Sequence, residues 1–526
     1  MERRKKKIIV IFFTVMVVFC TIVGRMFYLT VIKYDDSDKS KILLSENSNR
    51  RVDIVDRNNI IVASDINTKT LYLNRDLVEN EDFITKNLSK ILGLDHDFIY
   101  KKITDNLTKS RFILIKKHVL PKEEAKIRQL PIASVVFEND LLRFYPHNNL
   151  FSHIVGYTDI DKNGIIGIEE YYDEYLKNPD NKALKLTLDV KIQGVLREEL
   201  LAASAKYNTR FIVGIIMEIE TGNVLAIVSL PDFNPNILGD RENTFNFATY
   251  GSYELGSVFK IFTFANGFET GVIDKNSNFD VNNDITYGNF VIKDTRSIKN
   301  RKNIGVSDAF ALSSNISAVQ IARKIGVDKQ TKFFERLGLL EKINTDIKQV
   351  ILPMQPRKWR EINLMSISYG YGLAVSPLHL ISAVNAILND GNLITPRFSY
   401  NFEMQKHVTS IISEKNSQLM RDLFRLTTLR GTGKLAYIGD YDIGGKTGTA
   451  EKISKDGYRV GEHLASFVAA FPMSNPKYSI FIVADRPKSD SGSGDGTGGS
   501  VAATIARNII LKIVSFVGIR SGEQGV

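Results

Sequence analysis

A serine and a lysine three residues apart, Ser257 and Lys260, stand at the head of an apolar run in Tyr253-Glu254-Leu255-Gly256-Ser257-Val258-Phe259-Lys260. Residues i and i+3 are neighbours on a helix surface, so a helix over Tyr253 to Thr270 puts hydroxyl and amine on one face. A serine hydroxyl is a poor nucleophile until a base takes its proton, and a lysine is a base only when neutral. Burial and a nearby second cation both disfavour the ammonium, so the pair predicts an enclosed, electropositive pocket. Ser-x-x-Lys recurs at Ser474-Asn475-Pro476-Lys477, but the proline and the strand-like runs on either side make that copy a turn.

Two further stretches supply the partners this chemistry needs. In Gly444-Gly445-Lys446-Thr447-Gly448-Thr449-Ala450-Glu451, on a strand-like run, glycines 445 and 448 let a ligand or another backbone come close. Lys446, Thr447 and Thr449 then present an ammonium and two hydroxyls to an anion such as a terminal carboxylate. No Gly-x-x-x-x-Gly-Lys-[Ser/Thr] pattern precedes a helix here, so this is no phosphate loop. The third stretch is Ala311-Leu312-Ser313-Ser314-Asn315-Ile316-Ser317. Ser-x-Asn alone reads as a polar turn or helix cap, and it also occurs at Ser45 and Ser399. The order Ser-x-x-Lys, Ser-x-Asn, Lys-Thr-Gly within one domain is what singles out Ser313 and Asn315.

The elements that must hold these residues begin near Leu186. Asp189 to Lys206 has a helical pattern; Phe211 to Glu218 and Val224 to Leu230 form a hairpin through Glu220-Thr221-Gly222-Asn223. Helical stretches follow at Val306 to Ile325 and Leu364 to Leu388. Strand-like runs come at Tyr441 to Lys452, Leu464 to Met473 and Tyr478 to Ala484, then a Gly/Ser/Asp-rich loop (489–500) and a closing helix, Val501 to Val517. Strands first, helices in the middle and strands again predict an α+β fold: one antiparallel sheet assembled from both ends of the domain, with helices on both faces. Upstream, residues 45–185 alternate short strands and helices without a nucleophile, which reads as an elongated pedestal.

With 526 residues, 43% hydrophobic and 24% charged, the chain has the composition of a globular protein of two or three domains. The net charge of +10 is scattered, so it carries no nucleic-acid reading. The one dense basic run, Arg3-Arg4-Lys5-Lys6-Lys7, stands before the apolar segment Ile8 to Val23. Extended to Ile32 the segment can span a bilayer, and the flanking cations place residues 1–7 in the cytoplasm and the rest outside. With no small-x-small cleavage site after it, residues 8–32 read as an uncleaved signal anchor. The single cysteine, Cys20, lies in that segment, so no disulfide framework is expected; the seven histidines show no metal-ligand spacing.

Taken together, the three motifs resemble the signature of penicillin-binding proteins and serine β-lactamases. The frame resembles a class B, division-type peptidoglycan D,D-transpeptidase of the FtsI kind. Supporting stretches are Arg51 to Asn58, Arg143-Phe144-Tyr145-Pro146, His153 to Tyr157, Gly167-Ile168-Glu169, Leu186 to Asp189, Ala226 to Pro235 and Gly370-Tyr371-Gly372. The sequence departs from the family at Leu255 and Thr504, where proline is usual, and at Asn59, where glycine is usual. None of the three is a reacting group.

The resemblance implies a transpeptidase domain over 186–518, a pedestal over 45–185 and a tail over 519–526. It implies a donor stem peptide ending in D-Ala-D-Ala, with Ser257 as nucleophile, Lys260 as its base and Ser313 as proton relay. Asn315, Lys446, Thr447, Gly448 and Thr449 would bind substrate, and the backbone N–H groups of Ser257 and Thr449 would form the oxyanion hole. It further implies inhibition by β-lactams, no cofactor or metal, and a single-pass protein of the inner (cytoplasmic) membrane at the division septum. The implied partners are a SEDS-type glycosyltransferase of the FtsW kind and other division proteins. An elongation-type transpeptidase and a D-Ala-D-Ala carboxypeptidase use the same three motifs. A non-enzymatic β-lactam sensor is the alternative of another class.

Overall fold

The computed structural model describes residues 2–27, 50–105, 110–237, 242–288, 290–295, 298, 301–403, 409–454, 457–488 and 496–519. The expectations for residues 28–32, 45–49, 489–495 and 520–526 lie outside them. The chain divides into two compact units: Met1–Val52, Asp65–Leu142 and Glu174–Lys182 form one, and Asp53–Ser64, Arg143–Asp173 and Ala183–Val526 the other.

In the first unit, α1 is Glu2–Phe27, with described side chains from Phe12 to Met26, most of them large, apolar and exposed. Among the described residues no helix is long and apolar enough to cross a membrane. The expected 8–32 span is thus described only in part. Strand β1 (Ile61–Asn74) pairs antiparallel with β2 (Phe112–Val119) and also with β3 (Val135–Phe144). Helices α2 (Glu81–Leu92), α3 (His96–Thr104) and α4 (Pro121–Arg128) bury Leu88, Ile99 and Ile127 against Leu71, Leu73 and Ile115 of the strands. Asn80 and Asp95 start α2 and α3 by accepting the N–H groups of Phe83 and Phe98.

The second unit is built on a five-stranded antiparallel sheet. Its order is β6 (Gly444–Ser454), β7 (Gly457–Phe471), β8 (Tyr478–Asp485), β4 (Ile212–Glu218), β5 (Val224–Leu230). Every β4, β5 and β8 residue from Ile212 to Met217, Val224 to Leu230 and Ser479 to Asp485 is buried, which a sheet covered on both faces requires. On one face α5 (Val190–Tyr207) and α12 (Ala503–Ile513) pack Leu196, Leu200, Ile505 and Ile509 against Ile216 and Ile482. On the other lie α6 (Lys260–Glu269), α10 (Pro377–Leu388) and α11 (Glu414–Arg430), with Phe264, Leu380, Val384 and Phe424 wholly buried. Asp189 caps α5 by accepting from Lys191 and Ile192.

Three predicted helices are each interrupted. The stretch from Tyr253 is not helical at its start: Tyr253 bridges Val375, Gly256–Phe259 is a single 3-10 turn, and α6 starts at Lys260. Val306 to Ile325 splits into α7 (Val306–Ala311) and α8 (Asn315–Ile325) around Ser313 at φ +65. Leu364 to Leu388 splits into α9 (Glu361–Ser368) and α10, with Gly370 at φ +107 and Gly372 at φ +91 between them. A positive φ cannot continue a right-handed helix, so each of these residues ends its run.

Candidate active site

All three interruptions meet at one place. Gly256, at φ +59, lets the chain turn immediately before Ser257, and its N–H donates to Gly370 O at 3.2 Å. A Cβ on Gly370 would lie 1.9 Å from Gly256 O, so only glycine admits this approach. A Cβ on Gly448 would lie 2.6 Å from Leu255 O. Gly448 therefore lets the serine turn pack directly on β6 and offers no side chain to a ligand.

The side chains converge on Lys260. Its Nζ sits 2.9 Å from Ser257 Oγ, 3.0 Å from Ser313 Oγ, 2.7 Å from Ser313 O and 2.7 Å from Asn315 Oδ1. Lys446 approaches from β6: its Nζ donates to Ser313 Oγ at 3.0 Å and to Thr447 O at 3.2 Å, and lies over the Phe310 ring. Ser313 thus touches both amines, and its left-handed backbone is the strained conformation that turns its side chain to them. Both lysines are fully buried. Burial, and then the charge of Lys446, push the Lys260 amine well below the usual lysine range, with Asp294 pulling the other way. Burial brings Lys446 down to about 7. Burial thus disfavours the ammonium on both lysines, and at Lys260 the charge of Lys446 disfavours it further.

The Ser-x-Asn turn is itself fixed by a residue the sequence did not mark. Asp294 accepts from Ser314 Oγ at 2.7 Å and from the backbone N–H groups of Asn315 and Ile316, at the start of α8. A carboxylate is well placed at that positive helix end. Asn315 Nδ2 donates to Lys293 O at 2.8 Å.

Ser257, Ser313, Asn315, Thr447 and Thr449 line one cleft of about 570 Å³, together with Lys434. Thr447 Oγ1 is 2.6 Å from Thr432 Oγ1, and Thr449 Oγ1 accepts from Gly498 N at 3.1 Å. Thr432 and Thr497–Ser500 complete a rim of hydroxyls and backbone that no sequence pattern announced. The second Ser-x-x-Lys, 474–477, is an irregular connection between β7 and β8. Among the described residues no group of three or more acidic, histidine or cysteine side chains could hold a metal.

Residues 212–511 match the penicillin binding protein transpeptidase domain, and residues 46–187 the penicillin-binding protein dimerisation domain. The chain belongs to the penicillin-binding protein transpeptidases. A "Probable peptidoglycan D,D-transpeptidase FtsI" of Caulobacter vibrioides is 31% identical, over 89% of this chain and 82% of that protein. "Stage V sporulation protein D" of Bacillus subtilis is 25% identical, over 97% of this chain and 86% of its own. The crystal structure of penicillin-binding protein 3 from Mycobacterium tuberculosis in complex with aztreonam has the same fold. It aligns with a TM-score of 0.69 at 21% identity, over 90% of this chain and 97% of that one. In this penicillin-binding protein the three motifs, distant in sequence, form one hydrogen-bonded group.

Proposed function

We propose that this chain is a membrane-anchored peptidoglycan D,D-transpeptidase that cross-links stem peptides in septal wall synthesis through an acyl-enzyme on Ser257. The observation that carries the reading is a buried amine, Lys260 Nζ, 2.9 Å from Ser257 Oγ and sharing Ser313 with a second buried amine. Ser257 Oγ attacks the carbonyl carbon between the two terminal D-alanines, and Lys260 takes its proton. The backbone N–H groups of Ser257 and Thr449 hold the oxyanion. The C–N bond breaks, and Ser313 passes the proton to the departing D-alanine amine. Asn315 holds the donor amide; Lys446, Thr447 and Thr449 hold the donor carboxylate. An acceptor amine then attacks the ester, forming the new C–N bond and releasing Ser257. A β-lactam with its carboxylate in the same place acylates Ser257.

Residues 186–518 serve as the transpeptidase domain and 45–185 as the pedestal. Residues 8–32 are the anchor, supported by the basic flank and by the exposed apolar side chains of α1. In this reading the N-terminus lies in the cytoplasm, the site lies outside the membrane, and the anchor packs against a glycosyltransferase of the FtsW kind within the division machinery.

Intact-mass spectrometry after penicillin tests the core of this reading. The unsubstituted chain should gain one penicillin mass, mapped to Ser257, and Ser257→Ala should gain none. Labelling of Ser257→Ala at the normal rate would overturn the assignment.

A further inference from the structure

A second groove of about 630 Å³ adjoins the serine turn. Tyr371 stands where the two meet: it lines the Ser257 cleft, and its hydroxyl accepts the N–H of Glu451, which lines the groove, at 3.3 Å. Side chains two apart on a strand share a side. On β6 that puts Thr447, Thr449 and Glu451 in one row, the two hydroxyls in the Ser257 cleft and the carboxylate in the groove.

The two hollows differ in charge. The Ser257 cleft has Lys434 in its lining, with Lys446 and Lys260 beneath, and no carboxylate among its described lining residues. The groove has Glu254, Glu451 and Lys452. The β6–β7 register shifts between Glu451 and Lys452, and the Lys452 ammonium is held by both oxygens of the buried Asp485 at 2.8 and 2.9 Å. Its charge is thereby matched, which leaves two carboxylates at the groove: Glu254, whose Oε1 accepts from Gly372 N at 2.6 Å, and Glu451. The remaining wall is largely apolar: Met354, two-thirds exposed, with Pro356, Ala374 and Leu464. An apolar wall with a carboxylate beside it is complementary to an aliphatic stem that ends in an ammonium.

We propose that this groove is the acceptor site, taking a peptide that carries a primary amine on an aliphatic side chain, and that Glu451 is the specificity-determining residue that draws the amine in. The proposal rests on the transpeptidase reading. Donor and acceptor are then sorted by charge: the carboxylate-terminated peptide enters the cationic cleft and the amine enters the acidic groove. The amine arrives as an ammonium and releases one proton to solvent. Its nitrogen attacks the acyl carbon, the bond from that carbon to Ser257 Oγ breaks, and the amine's second proton reaches Ser257 Oγ by way of Lys260.

The test uses the full chain in detergent, a D-alanyl thioester donor ending in a carboxylate, and a tripeptide acceptor with a free lysine side chain. Its N-acetylated form is the control. Glu451→Gln should raise the acceptor KM about tenfold, the scale of one charge-assisted contact, and shift product from aminolysis to hydrolysis. Glu451→Asp should recover part of the loss, and Glu451→Lys should deepen it. The rate of acylation by penicillin should be the same in all four proteins. An unchanged acceptor KM in Glu451→Gln, or a parallel fall in penicillin acylation, would overturn the proposal. Failure of the unsubstituted chain to be acylated at all would instead overturn the transpeptidase reading.

Discussion

Replacing Lys446 by methionine removes one charge from the buried pair and keeps the volume of the side chain. Each amine lies 3.0 Å from Ser313 Oγ, so the two nitrogens are at most about 6 Å apart. At an effective dielectric of about 20, two unit charges at that distance repel by about 3 kcal/mol, equivalent to about two pH units in a titration. On the proposed mechanism the acylation rate rises with pH as Lys260 loses its proton, because only the neutral amine can act as base. Removing the neighbouring cation makes Lys260 hold its proton more tightly, so in Lys446→Met the rising limb should move about two pH units toward higher pH. The unsubstituted protein should also show a falling limb near 7, where Lys446 itself loses charge and its grip on the donor carboxylate. That limb should vanish in the variant. Stopped-flow acylation by a fluorescent penicillin, as kcat/KM from acid to alkaline pH, reads both limbs. A variant whose rising limb stays in place would refute the claim that Lys446 keeps Lys260 neutral, even if its overall rate fell.

Two further outcomes are expected. Gly370→Ala combines a positive φ with a Cβ built 1.9 Å from Gly256 O. It should cost more than about 2 kcal/mol in urea unfolding and displace the serine turn, with a loss of acylation larger than the loss of stability explains. Asp346, which accepts from Phe398 N at 2.8 Å and the Tyr172 hydroxyl at 3.3 Å, has its carboxyl raised to about 6 by burial, against 3.8 when free. The native state keeps this proton longer than the unfolded chain, so stability is lost as pH rises through this window, by up to about 3 kcal/mol. Asp346→Asn should flatten the fall in melting temperature between pH 4 and 6; an identical pH profile in the variant would show that another group carries it.

The make-up of the candidate site was legible because each motif is short and local. Ser257 and Lys260 are read from one spacing, and Lys446, Thr447 and Thr449 from one strand. The sheet was legible for a similar reason: buried strands such as Ile212–Glu218 and Tyr478–Asp485 are near-continuous apolar runs. What escaped is set by residues far apart in the chain. Asp294 reaches the Asn315 turn across 21 positions of sequence. The breaks at Gly256, Ser313 and Gly370 follow from tertiary contacts among three segments, and each looks helical within its own window. The Glu254–Lys260 stretch suggested a helix because its apolar pattern continues smoothly into α6; nothing within that window shows that Gly370 must pack on Gly256.

The order of strands in the catalytic sheet has a consequence for how the protein acquires its structure. The β4–β8 ladder at its centre pairs Ile212 with Ala484, 272 positions apart. Until β8 has been synthesised, the β4–β5 hairpin has one apolar edge with no neighbour. Contacts of such long range make folding slow, because loop closure must precede any reward from pairing. An unpaired, near-continuous apolar strand is also a template for wrong partners. Ser257 suffers the same delay, since it gains its β6 wall only when the last sixth of the chain arrives. A truncated or stalled chain ending before β6 would therefore carry the serine and its base without an enclosed pocket, and it would be prone to aggregate.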